Sequence, residues 1–131
     1  MPKVLVVDDD DAVRSIIVRE LEQERFEVQG ASDGEAAINL VRAVQEEEEK
    51  FDVILLDIKM PKADGFEVLK YVKRVTPETK VIMVTAYADT RNAIEALRLG
   101  ASDFVSKPFD FDEILASIRH VLDGATPDMR A

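Results

Sequence analysis

Three short stretches of the chain carry apolar residues with no polar position between them: Val4–Val7, Val53–Leu56 and Val81–Val84. All three include β-branched residues, and none alternates. Such runs predict strands buried on both faces. Weaker runs at Phe26–Val28 and Phe104–Val105 predict two more strands. Between the runs, apolar residues return at steps of three and four, the spacing of one helix face. One set is Val13, Ile16, Ile17 and Leu21, and the next is Ala37, Leu40, Val41 and Val44. Val68, Leu69 and Val72 form a third, and Ala93, Ile94 and Leu97 a fourth. Ile114, Leu115, Ile118, Val121 and Leu122 complete the series. Gly30, Gly100 and Gly124 fall where an element is expected to end, and Pro61, Pro77 and Pro108 fall in connections.

The pattern is a strand followed by a helix, five times over. Alternation of this kind predicts an α/β fold: a five-stranded parallel sheet, doubly wound, with helices on both faces. Open parallel sheets carry their sites beyond the carboxyl ends of the strands. The residues just after each strand are therefore the ones to examine.

Composition narrows the chemistry. With 131 residues there is chain enough for one domain with a sizeable core. There are no cysteines, which excludes disulfides, thiolate metal sites and a cysteine nucleophile. The formal net charge is −10, from 27 acidic and 17 basic residues. An acidic surface repels phosphate backbones, so no direct nucleic-acid partner is expected. It favours divalent cations and basic protein surfaces. No apolar run approaches the roughly 18 residues of a membrane span, and the start Met1-Pro2-Lys3 lacks a signal-peptide core. A cytoplasmic location is the default expectation, with no membrane partner. The acidic run Glu46–Glu49 would oppose a helix dipole at its C-terminus, so the second helix is expected to end or fray there. Residues 1–122 read as the domain, and 123–131 as a linker or C-terminal tail.

Carboxylates crowd the strand ends. Asp8, Asp9, Asp10 and Asp11 follow the first strand, and Asp57 follows the third. Thr85 ends the fourth, and Ser106, Lys107 and Pro108 follow the fifth. Each alone has an ordinary explanation. Asp8 or Asp10 could cap the first helix, Asp57 could belong to a turn, and Lys107 could be a surface charge. Together they have a chemical one. Asp8, Asp9 and Asp57 repel one another unless a hard cation lies between them, and magnesium is the usual choice beside phosphate. A cation, an ammonium and a hydroxyl can clamp a transferring phosphoryl group. A carboxylate aimed at its phosphorus is a nucleophile.

These residues sit in motifs that resemble a known family. Val6-Val7-Asp8-Asp9, Leu56-Asp57-Ile58-Lys59-Met60-Pro61 with Asp64-Gly65, Val84-Thr85-Ala86, and Gly100-Ala101-Ser102-Asp103-Phe104-Val105-Ser106-Lys107-Pro108-Phe109 stand in the order and spacing of response regulator receiver domains. The resemblance spans residues 3 to 122 and implies a flavodoxin-like sheet with strand order 2-1-3-4-5. It implies Asp57 as phosphoacceptor, with Asp8, Asp9, Asp57 and the Lys59 carbonyl around Mg2+. It further implies Lys107 on a phosphoryl oxygen, Thr85 and Phe104 as switch residues, and a cis Lys107–Pro108 bond.

The implied function is a signalling module rather than an enzyme acting on a separate substrate. A sensor histidine kinase or phosphotransfer protein would supply the phosphoryl group. A downstream protein, an attached output domain or a phosphorylation-dependent homodimer would read the surface of the fourth helix, fifth strand and fifth helix. Lys59 and Tyr87, two positions after Asp57 and Thr85, are expected to shield the acyl phosphate from water. A phosphatase of the haloacid-dehalogenase type also uses an Asp-x-Asp such as Asp8–Asp10, but Ala12 stands where that family carries Thr or Val.

Overall fold

A computed structural model describes residues 1–44, 46 and 49–123. Five strands alternate with five helices: β1 (Lys3–Val7), α1 (Asp11–Gln23), β2 (Glu27–Ala31), α2 (Gly34–Ala43), β3 (Val53–Leu56), α3 (Gly65–Val75), β4 (Lys80–Thr85), α4 (Thr90–Arg98), β5 (Asp103–Ser106) and α5 (Phe111–Leu122). All strand pairs are parallel, in the order β2-β1-β3-β4-β5. The sheet is the doubly wound flavodoxin-like one expected.

The unbroken apolar runs have a direct cause. Successive side chains on a strand point to opposite faces, and both faces here are covered. Leu5, Val7, Ile54, Leu56, Val81 and Met83 point to one side, where Ala37, Val41, Val68, Leu69, Val72 and Ala96 of α2, α3 and α4 pack on them. Val4, Val6, Val53, Leu55, Ile82 and Val84 point to the other, against Ile17, Leu21, Ile114, Ile118 and Val121 of α1 and α5. Two cores thus share one sheet, and the runs Val4–Val7, Val53–Leu56 and Val81–Val84 between them carry no polar residue.

Every helix starts just beyond a strand, and each has an aspartate at its N-cap: Asp10, Asp33, Asp64, Asp89 and Asp110. In the first four, the carboxylate accepts from an amide of the first turn. This satisfies donors that the helix itself cannot, and the negative charge suits the dipole. Gly65 is required by a close approach, since a Cβ there would overlap the Asp57 carbonyl. The loop after β3 can therefore fold back on the strand end, where the Gly65 amide donates to the Ile58 carbonyl at 2.7 Å.

Some expectations shift. The second strand runs Glu27–Ala31, past Gly30, because pairing with β1 carries it on to Val7↔Ala31. Phe26 is buried ahead of it. Val44 is the C-cap of α2, so that helix ends before the acidic run, of which Glu47 and Glu48 lie outside the described residues. Ile16 does not pack inward and is 53% exposed. On α4, Ile94 and Leu97 are 50% and 42% exposed, and Ala96 alone is fully buried. The three-and-four spacing found the helix but chose the wrong face. Gly100, at φ 104, stops α4 as a left-handed residue should. The tail expected over 123–131 lies outside the described residues from residue 124 onward.

Candidate phosphoryl-acceptor site

The β1–β3 register puts Val7 opposite Leu56, so the next residues, Asp8 and Asp57, emerge side by side. Backbone bonds carry the ladder one step further. The Asp57 amide donates to the Val7 carbonyl at 3.1 Å, and the Asp8 amide to the Ala31 carbonyl at 3.2 Å. The β4–β5 register does the same on the other side. Thr85 lies opposite Ser106, and the Lys107 amide donates to the Thr85 carbonyl at 2.9 Å. Crossovers leave β1 in one direction, toward β2, and β3 in the other, toward β4, which opens a crevice between them at this edge.

In that crevice the Lys107 ammonium bridges two carboxylates. Its Nζ lies 2.7 Å from Asp8 Oδ2 and 3.0 Å from Asp57 Oδ2. The other Asp57 oxygen accepts from the Ile58 amide at 2.7 Å. Asp8 Oδ1 accepts from the Asp10 amide at 2.9 Å. Asp8 and Asp57 are 3% and 6% exposed. Asp9 is exposed at the rim, and it, Asp8 and Asp57 each offer an oxygen within 4.8 Å of the others. The choice left open for Asp8 and Asp10 resolves by position. Asp10 caps α1, its Oδ1 2.9 Å from the Ala12 amide, while Asp8 faces Asp57 across Lys107.

The remaining candidates surround this cluster. Thr85 is fully buried, and its hydroxyl accepts from the Tyr87 amide at 3.1 Å. Phe104, opposite Met83 on the edge strand β5, is half-buried against the first core. Lys59 is exposed, and its ammonium lies 4.7 Å from the centroid of the Tyr87 ring. Lys107–Pro108 is cis. Two features escaped the sequence. Ile16 borders an open apolar groove with Val13, Ala86, Pro108 and Phe109 beside Lys107. Asp103 accepts a 2.6 Å hydrogen bond from Ser117 and shares a cleft with half-buried His120. No periodicity signals either, because each joins residues from different elements.

The charge balance sets the behaviour of the site. Three carboxylates face one ammonium, so the cluster carries excess negative charge. Burial pushes the Asp8 carboxyl up from its ordinary 3.8, and it prevails over the Lys107 and Asp10 hydrogen bonds that pull it down. Burial pushes the Lys107 ammonium down, but its bonds to Asp8 and Asp57 prevail and hold it above its ordinary 10.5. The stability contributed by Lys107 is therefore present at neutral pH and is lost only as pH rises through that raised value. Asp8 responds in the same direction, but over a lower pH range. Its contribution is complete below 3.8 and disappears as pH rises through the raised value, so at pH 7 the ionised group costs stability.

Asp8→Asn keeps an acceptor for Lys107 and removes the charge. In metal-free buffer at pH 7 the variant should melt above wild type. The gap should narrow as pH falls through the raised Asp8 value. Thermal unfolding followed by circular dichroism across that range checks this, and a gap that widens on acidification contradicts it.

Comparison with known proteins agrees with this geometry. The family model of the response regulator receiver domain matches residues 4–119. The chain is 40% identical over 122 residues to the transcriptional regulatory protein CpxR of Escherichia coli (strain K12), covering 93% of this chain and 50% of that protein. It is 39% identical over 120 residues to the regulatory protein AtoC of the same organism, covering 92% of this chain and 25% of AtoC. The chain thus spans between a quarter and a half of these relatives. Among solved structures, a CheY-like response regulator receiver domain protein from Methanospirillum hungatei JF-1 superposes with a TM-score of 0.86 at 33% identity, covering 95% of each chain. The receiver domain of the Francisella response regulator 1452 gives 0.85 at 33% identity, covering 95% of this chain and 98% of that one. The sheet order, the acidic crevice and the family match over residues 4–119 lead to one conclusion: this chain belongs to the response regulator receiver domains of two-component systems.

Proposed function

We propose that the chain is a phosphorylation-dependent switch that takes a phosphoryl group on Asp57 in the presence of Mg2+. The observation that carries this reading is the Lys107 bridge between Asp8 and Asp57 at the edge of the sheet, with Asp9 alongside. Its donors are hard oxygens, and the cluster lacks positive charge, which suits a hard divalent ion. Asp8, Asp9, Asp57 and the Lys59 carbonyl would hold that ion. When bound, it supplies charge neutralisation for the phosphoryl oxygens.

The rest is done by the chain's own groups. The Ile58 amide and Lys107 fix the Asp57 carboxylate, so one oxygen can attack phosphorus in line. With a phosphohistidine donor, the new O–P bond forms as the P–N bond breaks, and the departing imidazole nitrogen takes up a proton. Lys107 transfers from the carboxylates to a phosphoryl oxygen. Thr85 accepts from Tyr87 and retains its hydroxyl proton, which it can donate to another phosphoryl oxygen. Moving Thr85 inward changes the space beside Phe104 and the packing beneath α4.

The donor is a sensor histidine kinase or phosphotransfer protein. The reader is a downstream protein, a second copy, or an output domain beyond this chain, as the greater length of the relatives suggests. Among the described residues no helix is long and apolar enough to cross a membrane, and a cytoplasmic site of action fits this reading.

Incubation with acetyl phosphate and Mg2+ should add one phosphoryl group to the wild-type mass and none to Asp57→Ala. The phosphorylated sample should shift amide signals within residues 89–122. Full labelling of Asp57→Ala at another residue, or silence across 89–122, contradicts the reading. The Lys59 ammonium lies 4.7 Å from the centroid of the Tyr87 ring, two residues beyond Asp57 and Thr85, and we propose that this pair limits the approach of water. Lys59→Asn with Tyr87→Glu should shorten the lifetime of the phosphorylated protein several-fold. An unchanged decay rate removes that role.

A further inference from the structure

A second cation touches the backbone of the acidic turn. Arg14 is on the first turn of α1, and its side chain is 19% exposed. Its stem crosses the end of β2 over Gly30, where a Cβ would lie 3.2 Å from Arg14 Cδ and 3.4 Å from Cγ. One arm of the guanidinium donates to the Asp8 carbonyl at 2.7 Å, and the other donates to the Asp11 carboxylate. The two arms therefore grip both ends of the turn Asp8–Asp11. Within that turn the Asp10 amide holds Asp8 Oδ1 at 2.9 Å, and Asp10 Oδ1 holds the Ala12 amide at 2.9 Å. Asp9 is the remaining member, and its carboxylate is the exposed one of the cluster.

We infer that Arg14 is a positioning residue for cation binding: it holds the Asp8–Asp11 turn so that Asp8 and Asp9 present their oxygens together. This rests on the reading that the cluster takes a divalent cation. A planar fork suits two acceptors in different directions, which a lysine cannot satisfy with the same geometry. Gly30 completes the device by leaving room for the stem. Positioning and simple charge make opposite forecasts. Removing a cation from the neighbourhood of an acidic site should tighten a divalent ion if only Coulomb attraction matters. It should weaken the ion if the guanidinium orders the turn, because partners that orient ligands typically contribute tenfold or more in metal affinity.

The test is calorimetric titration of the whole chain with MgCl2, comparing wild type, Arg14→Met and Arg14→Lys. Methionine keeps an unbranched apolar stem over Gly30 and a good helix former, and removes only the fork and its charge. Arg14→Met should bind Mg2+ about tenfold more weakly. Arg14→Lys should also be weaker, despite its retained charge. Equal or tighter binding in Arg14→Met, or full affinity in Arg14→Lys, overturns the inference. Gly30→Ala provides an independent arm, since it crowds the stem and changes no charge. It should weaken Mg2+ in the wild-type background and have no effect when Arg14 is already methionine. An equal loss in both backgrounds overturns the inference, even if one arginine variant folds poorly. Absence of Mg2+ binding by wild type is a separate outcome, which would refute the cation site itself.

Discussion

A shortage of positive charge governs this molecule, with three carboxylates around one ammonium. Parallel register delivers Asp8 and Asp57 to adjacent strand ends, and burial keeps water from dissipating their repulsion. Lys107 reaches both but cannot neutralise them together with Asp9. A buried carboxylate without full compensation is costly. The fold tolerates it because two apolar cores, one on each sheet face, over-determine the strands beneath the site. The result is a native state that gains from any ligand bringing positive charge to the carboxylates or drawing Lys107 into a tighter network. A divalent cation followed by a phosphoryl group is the sequence of ligands we propose for it.

Further aspartates near the site have a different role. Five aspartates serve as N-caps at the same edge of the sheet, because each helix begins where a strand ends. Asp8, Asp9 and Asp57 are set apart by facing the crevice between β1 and β3 rather than a helix terminus. The distinction is geometric, so a list of acidic residues cannot make it. Asp10 stands two places from Asp8 and does wholly different work.

The strands were legible because burial on both faces leaves unbroken apolar runs, and Val53–Leu56 matches its observed span at both ends. The candidate cluster was legible because side chains just beyond neighbouring parallel strands meet at one edge, and Asp8, Asp57, Thr85 and Lys107 each follow or finish a strand. The helix faces were harder. Ile16, Ile94 and Leu97 fit a helical period yet remain exposed, since periodicity cannot say which side of a short helix meets the sheet. For α4 the deciding residue is Ala96, whose small side chain lets the helix sit close to the core. The Arg14 contact was invisible for another reason. It joins α1 to a backbone carbonyl across a glycine of β2, and neither a carbonyl nor an absent side chain leaves a mark in residue chemistry.

The central claim is that the native state is held back by uncompensated carboxylates that a cation relieves. Thermal unfolding of the wild-type chain against Mg2+ concentration tests this most directly. A cation that binds only the folded state should add about 2.7 kcal/mol at a hundredfold excess over its Kd, so the melting temperature should climb steadily with Mg2+. The same titration on Asp9→Ala should give a much smaller rise. A wild-type melting temperature indifferent to Mg2+, or an equal rise in Asp9→Ala, would contradict the account.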